Sequence, residues 1–367
     1  MKLLMYLPAA RRVVPVFLLA LGFALLIPAA ACAASPSGDE SPESTSESSE
    51  SEALQGDLVS MLPDGATTLG FIDFASVRDS AVYAFLRQDT DLVDAGFEEI
   101  IERTGIDPRT DLHRIAFISD NSISGWSDAG AFLVLATFDR TRIEEAVAAA
   151  PSEEYSGRAI YQIGALSDMD EELSDEEDGL TIDGDIDGWM ALLSDTVIAF
   201  GNSENIRSII DVADGAPSAR DNTELMGLLE DVDADAQLWI VSAQEGLLSG
   251  IDAGEGSPIG QIGYDRINAL ILALDLNDGL SFRMRGRTPA AEDAKNLGDA
   301  LNGMVALGKM MLQNNNPDIF EILDRAIETG SRGRDVTINA QLTIDDIKTL
   351  QAYAESMMDS DEVAIGG

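Results

Sequence analysis

Three aspartates at alternate positions, Asp183, Asp185 and Asp187, precede Gly188 and match the first half of the calcium-loop pattern D-x-[DN]-x-[DN]-G. Carboxylates spaced in this way on a turning loop can converge on one hard cation such as Ca²⁺. The twelfth position of the pattern, which should supply a bidentate Glu, is Ser194. The motif also closes an acidic run over residues 168–187, and charge runs are usually solvated. Two interpretations therefore stay open, a calcium site and a solvated acidic loop.

A second candidate site is a helix rich in methionine and glycine near the C-terminal end of the chain. Small and apolar residues recur there at helical spacing, at Ala294, Leu297, Leu301, Met304, Gly308 and Met311. Because methionine is flexible and polarisable, Met304, Gly308 and Met311 could line a cavity for a hydrophobic or lipid ligand. An ordinary amphipathic helix that buries its apolar stripe explains the same spacing.

No catalytic motif in the chain is complete. Residues 303–309 have the spacing of a phosphate-binding loop, but Met310 stands where a hydroxyl should bind Mg²⁺, and the segment is predicted to be helical. Residues 125–129 approach the G-x-S-x-G motif but lie in a predicted hairpin loop instead of a strand-to-helix turn. His113 is the only histidine and Cys32 the only cysteine, so the chain cannot form the usual zinc sites, which need three or four His and Cys ligands. We expect a protein that is not an enzyme and needs no cofactor, with calcium as the one candidate ion.

The single cysteine, Cys32, follows an uncharged apolar segment over residues 13–31 that Arg11 and Arg12 precede. A positive start, an apolar run and a small-residue exit are the parts of a secretory signal. The exit Ala29-Ala30-Ala31-Cys32 resembles the lipobox of bacterial cell-envelope lipoproteins, and the rest of the chain loosely resembles such lipoproteins. The resemblance implies a lipid attached to Cys32 and an ectodomain outside the cytoplasm, in the periplasm or at the cell surface.

Two other interpretations of the same segment stay open. The exit also satisfies the rule for ordinary signal cleavage, which would release a soluble protein, and residues 13–31 are just long enough to be retained as a membrane anchor. All three interpretations place the folded part outside the cytoplasm. One cysteine cannot form a disulfide within the chain.

The chain is strongly acidic, with 66 Asp and Glu against 23 Lys and Arg and a net charge of −43. Phosphate binding needs concentrated Lys and Arg, so nucleic acid is not expected as a partner. Because the acids occur in nearly every segment, the pattern favours solvation in a saline setting over one dedicated acidic patch. Cation binding remains the alternative explanation.

Composition and periodicity divide the chain into five segments. Residues 1–32 form the signal segment, residues 33–56 a disordered Ser/Glu-rich tether, and residues 359–367 a flexible tail. Residues 57–215 and 216–358 each show strand, helix, two hairpin strands, helix, strand and helix, with an acidic loop at 167–188 in the first. We predict an α+β fold of two related split-βαβ repeats, with a largely antiparallel sheet and helices on one face.

Local signals predict where several elements begin and end. Strands are predicted at 69–74, 114–119, 131–138, 158–163, 189–193, 196–200, 237–241, 267–274, 280–286 and 333–337. Asp139, Ser203 and Asn316 are predicted to cap helices, with Pro317 at the first helical position after Asn316.

The function expected from these features is binding or scaffolding by a tethered ectodomain. The partner would be an unidentified protein, and a lipid anchor would hold the chain at a membrane. A carrier of a hydrophobic ligand and a calcium-stabilised adhesion or partner-binding module are the two alternatives.

Overall fold

The structure is a computed structural model and describes residues 58–87, 101, 104–119, 130–148, 150, 152–163, 188–245 and 266–365. These residues form twelve strands and eight α-helices. The strands are β1 (Thr68–Asp73), β2 (Leu112–Ser119), β3 (Gly130–Ala136), β4 (Ser152–Tyr155), β5 (Arg158–Ile163), β6 (Gly188–Leu192), β7 (Val197–Gly201), β8 (Leu238–Ser242), β9 (Ala269–Asp275), β10 (Gly279–Arg287), β11 (Ile327–Arg332) and β12 (Asp335–Thr343). The helices are α1 (Phe74–Asp79), α2 (Ala81–Leu86), α3 (Arg140–Ala146), α4 (Ser203–Ala213), α5 (Thr223–Leu229), α6 (Ala291–Asn315), α7 (Pro317–Ala326) and α8 (Ile344–Ile365).

All twelve strands belong to one open sheet in the order β11-β12-β10-β9-β8-β1-β2-β3-β7-β6-β5-β4. Each neighbouring pair is antiparallel. The predicted α+β class and antiparallel sheet are therefore confirmed. The order also makes β11 and β4 the two edge strands.

The middle of the sheet joins the two predicted repeats. Strand β1 pairs with β8, and Phe71 lies opposite Trp239 with the two rings stacked at 5.6 Å. From this seam β2 and β3 follow on one side and β9 and β10 on the other, but four strands lie beyond β3 and two beyond β10. The repeat and the boundary between residues 215 and 216 stay predictions, since strands of both units share one sheet.

Helices cover both faces of the sheet. Neighbouring residues of a strand point to opposite faces. Ala273 of β9 packs in a core with α4 and α5, whereas Leu274 packs in a second core with α6, α7 and α8. A smaller third core places Ile143 of α3 against β6 and β7. The prediction of helices on one face is wrong, because the strands carry apolar residues on both faces and each face needs cover.

The helix caps follow the predictions in part. The Asp139 carboxylate accepts the Thr141 N–H at 2.9 Å, as predicted. Helix α4 is capped one residue earlier than predicted, by Asn202 in place of Ser203. Helix α7 begins at Pro317 with Asn316 at its N-cap position, as predicted, but the Asn316 amide donates to the Tyr353 hydroxyl at 3.0 Å and its side chain makes no capping hydrogen bond. An amide used in this way ties the start of α7 to α8.

Neither edge strand was predicted from the sequence. Each is the outer strand of a hairpin with a two-residue loop. Ser156 and Gly157 both have positive φ in the β4–β5 loop, while Gly333 has φ 60° in the β11–β12 loop. Positive φ suits the tight turns that match the twist of paired strands.

Candidate interaction surface

Helix α6 packs its inner face on the sheet through a row of buried side chains. Ala294, Leu297, Leu301 and Val305 are 0–4% exposed. The predicted stripe is confirmed over its first half, but Val305 takes the buried position that Met304 was expected to hold. Met304 is half-buried and packs against the second core, and Gly308 is buried.

The same helix also carries large apolar side chains that are exposed in the described part of the chain. Leu307 is 55% exposed, Met310 67% and Met311 61%. We call these three residues the apolar surface of α6. Met304 and Met311, predicted to face one ligand cavity, are thus half-buried and exposed respectively. The prediction of a hydrophobic-ligand site stays a prediction.

The charge around the apolar surface differs from that of the rest of the chain. From Ala300 to Pro317 the sequence has no acidic residue, although the chain as a whole has 66. Its one charge, Lys309, forms an ion pair at 2.8 Å with Asp324 of α7. The exposed methionines therefore lie in an essentially uncharged stretch of a strongly acidic protein.

Two further charged clusters, around Asp73 and Asp346, join elements of the fold. Asp73 accepts the Arg114 guanidinium at 2.9 Å and the Ser76 N–H at 3.0 Å, which caps α1 beside the central strands. Asp346 accepts the Thr343 N–H at 2.9 Å and pairs with Arg325, so that it joins β12, α7 and α8.

The burial of Asp346 by itself would raise its pKa. The hydrogen bonds from Arg325 and Thr343 outweigh burial and hold the pKa of this carboxyl below its usual value. The pKa shift thus follows from contacts that join structural elements.

A polar cavity of about 120 Å³ lies beside the start of β8 and the loop between β9 and β10. Its polar walls are Asp233, Asp235, Asp275, Ser281 and Arg283. Arg283 pairs with Asp233 across it, and the neighbouring Arg285 pairs with Asp231 at 2.7 Å. These ion pairs fasten the segment before β8 onto β10.

The remaining predicted site residues lie outside the part of the chain that the structure describes. They are Cys32 and the calcium-loop residues Asp183, Asp185 and Asp187. His113 is described and shares a hydrogen bond of 2.9 Å with Thr137. Within the described ranges no cluster of three His, Cys, Asp or Glu side chains is arranged to hold a metal. Nor does any described helix have the length and apolar character needed to cross a membrane.

No protein-family model matches the chain, and no curated protein matches it. Two solved structures are similar in fold, crystal forms I and III of TP0453. Both are 9% identical to this chain, with TM-scores of 0.42 and 0.41. They cover 81% and 80% of this chain and 96% and 97% of their own chains. The similarity assigns no binding site or activity to this protein.

Two features at the β11 end of the sheet were not predicted from the sequence. One is the outward position of Leu307 and Met310, since periodicity identifies the buried face of a helix but not the cover over its other face. The other is the edge strand β11 with its exposed charges. The Gly333-Arg334 pair before the alternating residues of β12 is a turn signal from which that hairpin could have been predicted.

Proposed function

We propose that this protein is a non-catalytic, envelope-tethered binding protein that holds a partner protein through the apolar surface of α6. The observation that carries the proposal is the exposure of Leu307, Met310 and Met311, each more than half accessible. Exposed apolar patches in soluble domains often mark interaction sites. Methionine adapts its shape to the surface it contacts, which suits a binding role.

The charge pattern favours a protein partner over the face of a membrane. A chain of net charge −43 is repelled by anionic lipid, and the only cation of the stretch is already paired with Asp324. An apolar helix or groove of another protein can cover the surface without an opposite charge. The partner we propose is therefore a protein with an apolar segment at its surface.

The second part of the proposal is the anchor. Lipid on Cys32 would hold the chain at a membrane, and residues 33–56 as a flexible tether would span on the order of 25–30 Å. The mass of the mature N-terminus tests the anchor. An acylated Cys32 supports it, whereas cleavage after Ala31 with a bare thiol, or an uncleaved segment, contradicts it.

Photo-crosslinking in intact cells tests the binding surface. A photoreactive residue replaces Met310, and the matched control replaces Glu321, an exposed residue of α7. We expect a discrete protein adduct from position 310 only, with a lower yield when Leu307→Ser is added. No adduct, or the same adducts from both positions, would contradict the proposal. A lipid adduct from position 310 would favour the hydrophobic-ligand carrier instead.

A further inference from the structure

The two edges of the sheet carry different charge patterns. β11 is an edge strand of six residues, and no strand of the described chain pairs with its outer side. In an antiparallel ladder every second residue turns its backbone N–H and C=O away from its partner, so β11 presents unpaired groups to its surroundings. Long edges of this kind can pair with another strand unless the sequence protects them.

The side chains of β11 divide between the two faces of the sheet. Thr329 donates to the Asn302 amide oxygen at 2.7 Å, which places Thr329 and Ser331 on the side of α6. Glu328 and Arg332 therefore point to the opposite face, and Gly330 lies between them in the strand.

The two charged residues of β11 are not paired within the residues that the structure describes. Glu328 and Arg332 are exposed, and in the described part of the chain neither has an ion-pair partner. Asp335, opposite Arg332, pairs with Arg287 at 3.0 Å.

We propose that β11 pairs with β11 of a second copy of this chain, antiparallel and about a two-fold axis at Gly330. This arrangement sets Glu328 of each copy opposite Arg332 of the other, and Thr329 opposite Ser331. Opposite charges and hydroxyl pairs at facing positions stabilise antiparallel strands. Gly330 faces its own copy at the axis, where no side chain can clash.

Other two-fold centres in the strand do not match the charges. A centre at Glu328 sets two carboxylates opposite each other, which is unfavourable. Centres at Thr329 and Ser331 place Glu328 and Arg332, respectively, opposite Gly330. Because a two-fold interface must be self-complementary, the charge pattern of β11 selects the centre at Gly330.

The other edge lacks this property. β4 has four residues, two of which are Glu153 and Glu154, and Pro151 precedes it. A two-fold centre at either glutamate places carboxylates opposite each other, and Glu153 already pairs with Arg207 at 2.6 Å. Short, charged and proline-flanked edges resist pairing. The comparison therefore assigns self-association to β11 alone, independently of the proposed role of the apolar surface of α6.

Charge reversal and mixing test the pairing directly. Sedimentation velocity of the Cys32→Ser chain should show a monomer–dimer equilibrium, measured at about 0.15 M and about 1 M salt because repulsion between two acidic chains is screened at high salt. Glu328→Arg alone and Arg332→Glu alone place like charges at both contacts, and each should weaken dimerisation about tenfold. An equimolar mixture of the two variants restores opposite charges at both contacts and should recover the original dimer.

Three results would overturn the pairing. They are a chain that stays monomeric at both salt concentrations, single variants that dimerise as well as the original, and a mixture no better than its components. Both positions are exposed, and unchanged melting temperatures will show that the variants are folded. Met310→Ser is the control for the apolar surface and should leave the dimer unchanged. Loss of the dimer in Met310→Ser but not in the charge variants would assign association to α6 and overturn the pairing of β11.

Discussion

At the β4 end of the sheet, several charged and polar side chains pair with others within the molecule. The Tyr155 hydroxyl donates to Asp211 at 2.9 Å, Arg158 pairs with Asp214 at 2.9 Å, and Arg207 pairs with Glu153. At the β11 end, Glu328 and Arg332 are exposed and matched to a copy of their own strand. At the β4 end these contacts bind the β4–β5 hairpin to α4. At the β11 end the charges are left to pair with a second molecule.

The same contrast holds for apolar side chains. In the α4 and α5 core, Ile206, Ile209, Ile210 and Leu225 are fully buried. Helix α6 at the β11 end buries one row of side chains and leaves Leu307, Met310 and Met311 exposed. The two ends of the sheet therefore differ: side chains at the β4 end are bound within the molecule, whereas those at the β11 end are exposed for association.

The largest effect on stability is expected from substituting a buried residue of α6, compared with an exposed one. Leu301→Ala should lower the free energy of unfolding by about 2–5 kcal/mol, because it leaves a cavity under the helix. Leu307→Ala is the matched control on the exposed face, and it should change the free energy of unfolding by less than about 0.5 kcal/mol. Urea denaturation of both variants measures the difference. Equal losses would mean that Leu307 supports the fold and is not held for a partner.

The next largest effect is the pH dependence of stability that Asp346 causes near the β11 end. Asp346 has a lower pKa in the folded chain than its ordinary value of about 4, so its ionised form stabilises the fold. This contribution is present above about pH 4 and is lost as pH falls through the folded pKa. Asp346→Asn should cost about 1–3 kcal/mol at pH 7, since it removes charged hydrogen bonds. Thermal unfolding between pH 7 and pH 3 should show the gap between variant and original closing; a constant gap would contradict the assignment.

A smaller effect on stability, at alkaline pH, is expected from Tyr155 at the β4 end. The hydrogen bond to Asp211 is the main cause that raises the pKa of Tyr155 above 10. Because the folded pKa is raised, the stabilisation is present below the unfolded pKa and is lost as pH rises through the folded pKa. Tyr155→Phe should lower the melting temperature slightly at pH 7, and the difference from the original chain should vanish above about pH 10.

Hydrogen exchange of β4 and β5 measures this loosening locally. Exchange in β11 and β12 is the internal control and should not change in Tyr155→Phe. Faster exchange at both ends would show that the hydroxyl stabilises the whole sheet and does not act as a local fastening.

Local signals were sufficient for most of the fold. The Asp139 cap, the Pro317 start of α7 and the alternating apolar residues of β9 and β10 depend on neighbours in sequence, and the structure has these elements close to where they were predicted. The prediction that all helices lie on one face of the sheet was wrong. Periodicity shows that a strand has apolar residues, but it does not show which element covers each face.

The features of the candidate site were harder to predict for the same reason. Strand β11 follows α7 without a connecting loop, and Gly330 interrupts its pattern, so only its ladder with β12 identifies it as a strand. Its role as an edge follows from the strand order of the whole sheet. The exposure of Leu307 likewise depends on the absence of a described element over the outer face of α6.

Cross-linking at the proposed axis tests most directly the claim that the molecule associates through β11 and not through β4. Facing Cα atoms in an antiparallel pair are about 4.5–5.5 Å apart, within disulfide reach. A Cβ at Gly330 would lie 3.5 Å from the Thr337 hydroxyl, an ordinary contact, so Gly330→Cys can be accommodated. In a Cys32→Ser background under mild oxidation, Gly330→Cys should give a covalent dimer and the matched control Glu154→Cys on β4 should stay monomeric. Equal yields from the two variants, or no dimer from Gly330→Cys, would contradict the account.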